Sequence, residues 1–109
     1  MEHFNLNDLK GGWFAGDFDP TLYKTGDFEV AVKQYKKGDY EKKHFHKIAT
    51  EFTVIVYGEV EMNKMKYTAG QIVKIVPGEA TDFFVLSDIA ITTVLKVPSV
   101  PNDKYVSEK

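Results

Sequence analysis

The chain has no cysteine among its 109 residues, which removes disulfide frameworks, thiolate-held zinc, iron–sulfur clusters and thiol nucleophiles together. Any metal has to be held by nitrogen and oxygen. Basic residues are not in excess: 14 Lys and Arg against 16 Asp and Glu leave a net charge of −2, too little positive field to neutralise many phosphates, so nucleic acid is not an expected partner. Long apolar runs are lacking as well. The longest strongly apolar stretch, Phe52 to Tyr57, is far below the roughly 20 residues that cross a bilayer as a helix, so no membrane partner is expected. The first ten residues hold an early acid and no apolar run ending in small residues, which does not read as a secretory signal, and a cytoplasmic location is expected. The remaining composition, 43% hydrophobic and 28% charged, is that of a globular chain and argues against disorder or a coiled coil. The length suits one domain over 1–109.

After residue 26 the periodicity is of the strand type. Phe28, Val30 and Val32 alternate with Glu29, Ala31 and Lys33, the two-residue repeat of a half-buried strand, which predicts a strand near 27–36. Further short segments rich in β-branched and aromatic residues follow at 43–45, 52–57, 59–62, 66–67, 72–76, 83–86 and 89–97, separated by Gly, Asn-Lys, Pro-Gly and Ser-Asp. Many short strands at close spacing predict an all-β sandwich or barrel. Asn63-Lys64 predicts a tight hairpin, since Asn tolerates positive φ. Only Leu6 to Leu9 suggests a helix, with Asn5 or Asn7 as N-cap. The expected organisation is an N-terminal arm over 1–26, a barrel over 27–97, and a proline-containing polar tail over 98–109, loosely docked or frayed. The glycine-broken stretch Gly11 to Gly16 is expected to lie across an open end or edge of the barrel.

The segment from Phe52 to Tyr57 carries apolar side chains on both faces. Phe52, Val54 and Val56 point one way while Thr53, Ile55 and Tyr57 point the other. If one set lines the barrel, the other needs a cover, and a second copy of so short a chain is the natural one, so a homodimer is expected. The alternative is that the arm with Trp13, Phe14 and Phe18 folds over that face.

Chemistry concentrates between residues 38 and 58, where two of the three histidines lie. His44 and His46 are separated by one residue, so on an extended chain both imidazoles point to one side while Phe45 points to the other. The connection Lys47 to Thr50 is long enough to reverse direction, which lets Glu51 face the histidines across a ladder. Two imidazoles and one carboxylate make a facial-triad type of ligand set, which leaves coordination positions open for water, substrate or dioxygen.

The arrangement Gly38, five residues, His44-x-His46, four residues, Glu51, six residues, Gly58 resembles the first motif of the cupin superfamily at every fixed position. With this composition such a five-residue pattern arises by chance on the order of 10⁻⁵ times per chain. The stretch from Gly70 through Pro77-Gly78 to Phe83 is similar to the second motif with its turn intact, except that Thr81 stands where the third histidine is usual. The resemblance, to a small single-domain RmlC-like cupin, covers about 27–97. It implies a double-stranded β-helix, the jelly-roll barrel, with the site inside its mouth. It implies a divalent transition metal (Fe, Mn, Ni or Zn alike) on His44, His46 and Glu51, which also serve as the catalytic residues, and a small-molecule ligand. Thr81, Thr53, Ile55 and Phe83 share strand parity with the ligands and are expected to touch that molecule.

Two readings of Thr81 stay open. Three protein ligands suffice and the extra open position takes substrate or dioxygen, giving oxygenase or isomerase chemistry; or the barrel works without metal, with His44 or His46 as acid, base or hydrogen-bond donor. The metal-free version is an isomerase or epimerase acting on sugars or nucleotide-linked sugars, and a ligand-binding module without turnover is the third possibility. Other residues have plainer explanations. His3 is a solvated side chain in the arm, and Lys42, Lys43 and Lys47 form a solvated face. Trp13 and the tyrosines are core or interface residues. Asp82 has the opposite parity to Thr81 and should point out of the barrel.

Overall fold

In the computed structural model, which describes residues 1–107, eleven strands form two sheets. They are β1 (Trp13–Gly16), β2 (Tyr23–Lys24), β3 (Glu29–Lys36), β4 (Tyr40–Phe45), β5 (Thr50–Tyr57), β6 (Glu59–Met62), β7 (Met65–Thr68), β8 (Ile72–Ile75), β9 (Thr81–Val85), β10 (Ile89–Val97) and β11 (Tyr105–Val106). The larger sheet runs β2-β1-β3-β10-β5-β8 and the smaller β11-β4-β9-β6-β7. Every neighbouring pair is antiparallel except β1 with β2. The chain thus passes between sheets repeatedly, which is the double-stranded β-helix expected from the sequence.

The turns follow the local chemistry. Asn63 and Lys64 take φ of 49° and 67° between β6 and β7, the mirror-image turn whose twist matches a hairpin. Gly58 has φ of 89°, and a Cβ there would lie 2.3 Å from the carbonyl oxygen of Ile89, so only glycine lets β5 pass into β6 under that backbone.

One end of the barrel is sealed by apolar packing. Ile55, Val60, Met62, Ile75, Phe83, Val85 and Ala90 form one buried cluster contributed by both sheets. At about 1.5–3 kcal/mol for each large aliphatic or aromatic side chain removed from water, this cluster is the main source of stability. Toward the other end the inward positions turn polar: Ile55, Thr53, Glu51 along β5; Val85, Phe83, Thr81 along β9; and Ala90, Thr92, Val94, Lys96 along β10. Fold and cavity therefore share a single gradient of polarity along the strands.

Several segments differ from the sequence-based expectation. Leu6 to Leu9 forms no α-helix; two 3-10 turns, Leu6–Asp8 and Lys10–Gly12, occupy that stretch, and Asn5 makes no side-chain cap hydrogen bond. The arm does not lie over the outward face of β5. It adds β1 and β2 to the sheet edge beyond β3, and Trp13 enters the mouth of the barrel, edge-on to Phe18 at 6.3 Å. The tail, described to residue 107 with 108–109 outside the described residues, is not frayed. Tyr105 and Val106 pair with Phe45 and His44, and Asp103 is buried. Its carboxylate accepts hydrogen bonds from the backbone N–H groups of Lys47, Ile48 and Ala49 at 2.9, 3.1 and 2.9 Å, which fastens the tail over the β4–β5 turn. No described helix is long and apolar enough to cross a membrane.

Candidate functional site

The cavity at the polar end has a volume of about 560 Å³, the size range of small-molecule sites. His44, Glu51, Thr53, Thr81 and Phe83 line it, as their strand parity predicted. Two predicted residues do not. Ile55 is completely buried in the apolar cluster because it lies one inward position too deep on β5. His46 is also buried and stands behind the wall, reaching the cavity only through Glu51.

His46 is held at three points. Its ring Nδ1–H donates to the carbonyl oxygen of Asp103, its Nε2 lies 3.2 Å from Glu51 Oε1, and its own carbonyl accepts from Gly78 N–H at 2.7 Å. The Pro77-Gly78 turn therefore still serves the site although no histidine follows it. His44 is oriented the same way, with Nδ1–H donating to the Lys42 carbonyl at 2.9 Å. A carbonyl can only accept, so both rings are set with Nε2 as the nitrogen left to act. The two ring centroids are 5.5 Å apart, edge to face.

Glu51 is buried, and its second oxygen accepts from the Thr53 hydroxyl at 2.7 Å. Burial pushes its carboxyl up, but the hydrogen bonds from His46 and Thr53 outweigh that and hold it below the ordinary glutamate value. Burial lowers His44, only partly offset by its bond to Lys42. Tyr35, whose hydroxyl sits 3.5 Å from Glu41 Oε2, is raised by burial and by that carboxylate and stays protonated.

In kind, two imidazoles oriented through Nδ1 and a carboxylate fit a divalent transition ion. In arrangement, only His46 and Glu51 are drawn together. Among the described residues no group of three or more His, Asp or Glu side chains lies close enough to hold an ion. Thr81 is the register partner of His44, and its hydroxyl donates to the Asp82 carbonyl at 2.7 Å instead of facing the imidazoles. Asp82 itself accepts from Asn63 N–H at 2.7 Å on the hairpin side, and His3 is exposed.

Sequence reasoning missed the other half of the cavity. Trp13, Glu29, Lys33, Tyr35, Thr92 and Lys96 all face it. They form rows across the larger sheet, Glu29–Lys96–Glu51, then Ala31–Val94–Thr53, then Lys33–Thr92–Ile55. Trp13 pairs with Ala31, so its indole covers the small middle row, with the ammonium groups of Lys33 and Lys96 at 5.3 and 5.1 Å from the ring. The available signal was the charged half of the β3 alternation, which belongs to the inner face here.

A two-sheet barrel closed by aliphatic packing at one end and open on a polar cavity at the other is a double-stranded β-helix. Solved structures agree. A conserved double-stranded β-helix protein from Klebsiella pneumoniae superposes with a TM-score of 0.72 at 19% identity, over 98% of this chain and 92% of that one. A sugar phosphate isomerase of the cupin superfamily from Silicibacter pomeroyi gives 0.67 at 17% identity, over 76% and 58%. Oxalate decarboxylase from Bacillus subtilis gives 0.66 at 15%, over 74% of this chain and 24% of the enzyme. No protein-family model and no curated protein sequence matches the chain.

Proposed function

We propose that this cupin binds a small molecule in the mouth of its barrel and acts on it at His44, His46 and Glu51, with those three side chains holding a divalent transition ion. The observation that carries the reading is the matched orientation of the two histidines: each Nδ1–H is tied to a backbone carbonyl, which turns Nε2 of each ring away from the backbone as the ligand nitrogen, one of them 3.2 Å from Glu51. A bound ion would supply Lewis acidity toward an oxygen of the ligand. The chain's own part is to fix His46 from the tail, to hold the Glu51 carboxylate ionised through Thr53, and to shield the site from water with Trp13. The neighbours named above do not share one reaction, so they do not select between oxygenase and isomerase chemistry. Elemental analysis of protein from metal-replete cells tests this: about one transition ion per chain is expected, lost in His46→Ala, and a wild-type protein without metal rejects it.

A second reading is favoured by the closed His46–Glu51 contact and by Thr81 in place of a third imidazole. Here the pair moves a proton on a sugar or nucleotide-sugar ligand without metal. Stabilisation of the metal-free protein by a sugar nucleotide, with the ligand rearranged after incubation, supports it; unchanged ligand points to a binding module.

We also propose a homodimer through the outer face of the larger sheet. Val30, Val32, Phe52, Val54, Leu95 and Val97 turn outward there, and Val56 and Ile72 are 51% and 62% exposed. A second copy would bury this apolar surface. Light scattering on a sizing column should give about twice the chain mass, falling to one chain mass in Val56→Lys.

A further inference from the structure

Lys96 is half-buried at the mouth, and among the described residues no carboxylate lies within 4 Å of its ammonium. Its row neighbours are both acids, Glu29 on β3 and Glu51 on β5, yet neither closes on it. Glu51 is engaged by His46 and Thr53, and three further acids near the mouth are also occupied, whereas Glu29 and Asp17 have no ion-pair partner among the described residues. Glu41 has Lys33 and Lys104 at 4.0 Å each, Asp19 has Lys24 at 2.9 Å, and Asp103 has three backbone donors. The Trp13 indole caps Lys96 from one side, removing water without supplying a counter-charge. Glu29 and Glu51 act on this partly desolvated cation only from beyond 4 Å, so an anion that arrives with the ligand can make the direct contact they do not.

A second group points the same way. The Thr92 hydroxyl is fully buried at the floor of the same cavity near the Tyr35 hydroxyl, and among the described residues it closes no hydrogen bond of ordinary geometry. It lies four residues from Lys96 on the same strand, roughly 13 Å at strand spacing. The cavity thus offers a charge at its mouth and an unused polar atom at its floor, with Glu51 beside the charged end.

We infer that the ligand is a small organic acid whose carboxylate docks on Lys96 beneath Trp13, with its body extending past Glu51 toward Thr92. This rests on the proposal that the mouth is the binding site, and it adds the class of molecule. Phosphate is the poorer fit: acidic side chains around the cavity outnumber basic ones, which disfavours a dianion, whereas a single carboxylate is matched by one lysine.

Trp13 is the only tryptophan, so its fluorescence reports directly on this position. Acetate, propionate, butyrate and benzoate, their amides, and inorganic phosphate are titrated into the full chain, following fluorescence and Tm. At least one acid should change both saturably while its amide does not. Lys96→Met should weaken that acid tenfold or more, Lys96→Arg should restore most of the affinity, and added salt should weaken the wild type more than Lys96→Met. Tm values without ligand show whether each variant folds, and the Arg variant carries the test if the Met variant does not. Equal binding of acid and amide, phosphate binding tighter than every carboxylate, or an undiminished Lys96→Met overturns the inference. So does failure of every probe. None of these outcomes touches the metal content of the wild type, which judges the underlying reading separately.

Discussion

Removing the Asp103 carboxylate should loosen the protein and the site together. In Asp103→Ala the backbone N–H groups of Lys47, Ile48 and Ala49 lose their acceptor. Lys47 and Ile48 are exposed, so water replaces the carboxylate there and each bond is worth the lower end of the usual range, whereas Ala49 is buried and its N–H is left unsatisfied. Taking about 0.5–1 kcal/mol for each exposed donor and about 1.5–2 for the buried one gives a loss of about 3 kcal/mol. For a chain of this length that is about 12 °C in Tm. Asp103→Asn keeps one acceptor oxygen and should lose about half as much.

The pH dependence has a definite sign. Burial raises the Asp103 carboxyl, but the three backbone donors outweigh it and hold it below the ordinary aspartate value. A depressed group stabilises the fold fully above its unfolded value, about 3.9, and that contribution disappears as pH falls through the folded value. Thermal melts of wild type and Asp103→Asn should therefore differ most at neutral pH and converge as pH falls through the folded value, below the ordinary aspartate range. Because the Asp103 carbonyl orients His46, the His46 ring signals in NMR should also move in Asp103→Ala. A Tm within about 4 °C of wild type for Asp103→Ala, or a wild-type advantage over Asp103→Asn undiminished in acid, would show that the tail is not fastened by this carboxylate.

Other substitutions probe the remaining parts of the cavity. Thr92→Val replaces a buried, unpartnered hydroxyl by a methyl and should raise Tm by about 4 °C, or about 1 kcal/mol; a loss of that size would mean the hydroxyl has a partner. Thr81→His places an imidazole opposite His44 in register, and should tighten zinc or nickel binding at least about tenfold by calorimetry; unchanged affinity would mean that His44 and Glu51 face no common point. Gly12→Ala sets a Cβ 1.9 Å from the Val32 carbonyl oxygen at a φ of 80°, so β1 should undock, shifting Trp13 emission to that of an exposed indole at a stability loss of about 2–3 kcal/mol. Blue-shifted emission and an unchanged Tm would count against the close approach of β1 to β3.

The central part of the site was legible because it depends only on local geometry. The expected ladder between the histidines and Glu51 does not form, since β4 and β5 lie in different sheets and His46 stands just past the end of β4, but the four-residue connection between the sheets still brings Glu51 to His46 without long-range information. Thr81, Thr53 and Phe83 followed from strand parity. Ile55 failed because parity selects a face and not a depth. Asp103 could not be found this way: it reaches the ring of His46 from 57 residues away through its backbone carbonyl, an atom every residue possesses.

The inward lysines were hidden for a different reason, and the same reason explains the outer face. Alternation in a strand defines two faces but does not say which one is inside. In β3 and the mouth half of β10 the charged and small residues, Glu29, Ala31, Lys33 and Lys96, point into the barrel, and Val30, Val32, Leu95 and Val97 point out. The reverse assignment, apolar side inward, would fill the mouth with aliphatic groups and leave Glu51 beside them without Lys96. It is also blocked by register: Trp13 sits on Ala31 because a larger side chain there would leave no room for the indole over that row. The inversion leaves two faces that are each unfavourable alone, an inner one with a half-buried ammonium that no carboxylate reaches within 4 Å among the described residues and an outer one with aliphatic groups in water. Ligand and second copy would relieve them separately, through opposite faces of the same strands.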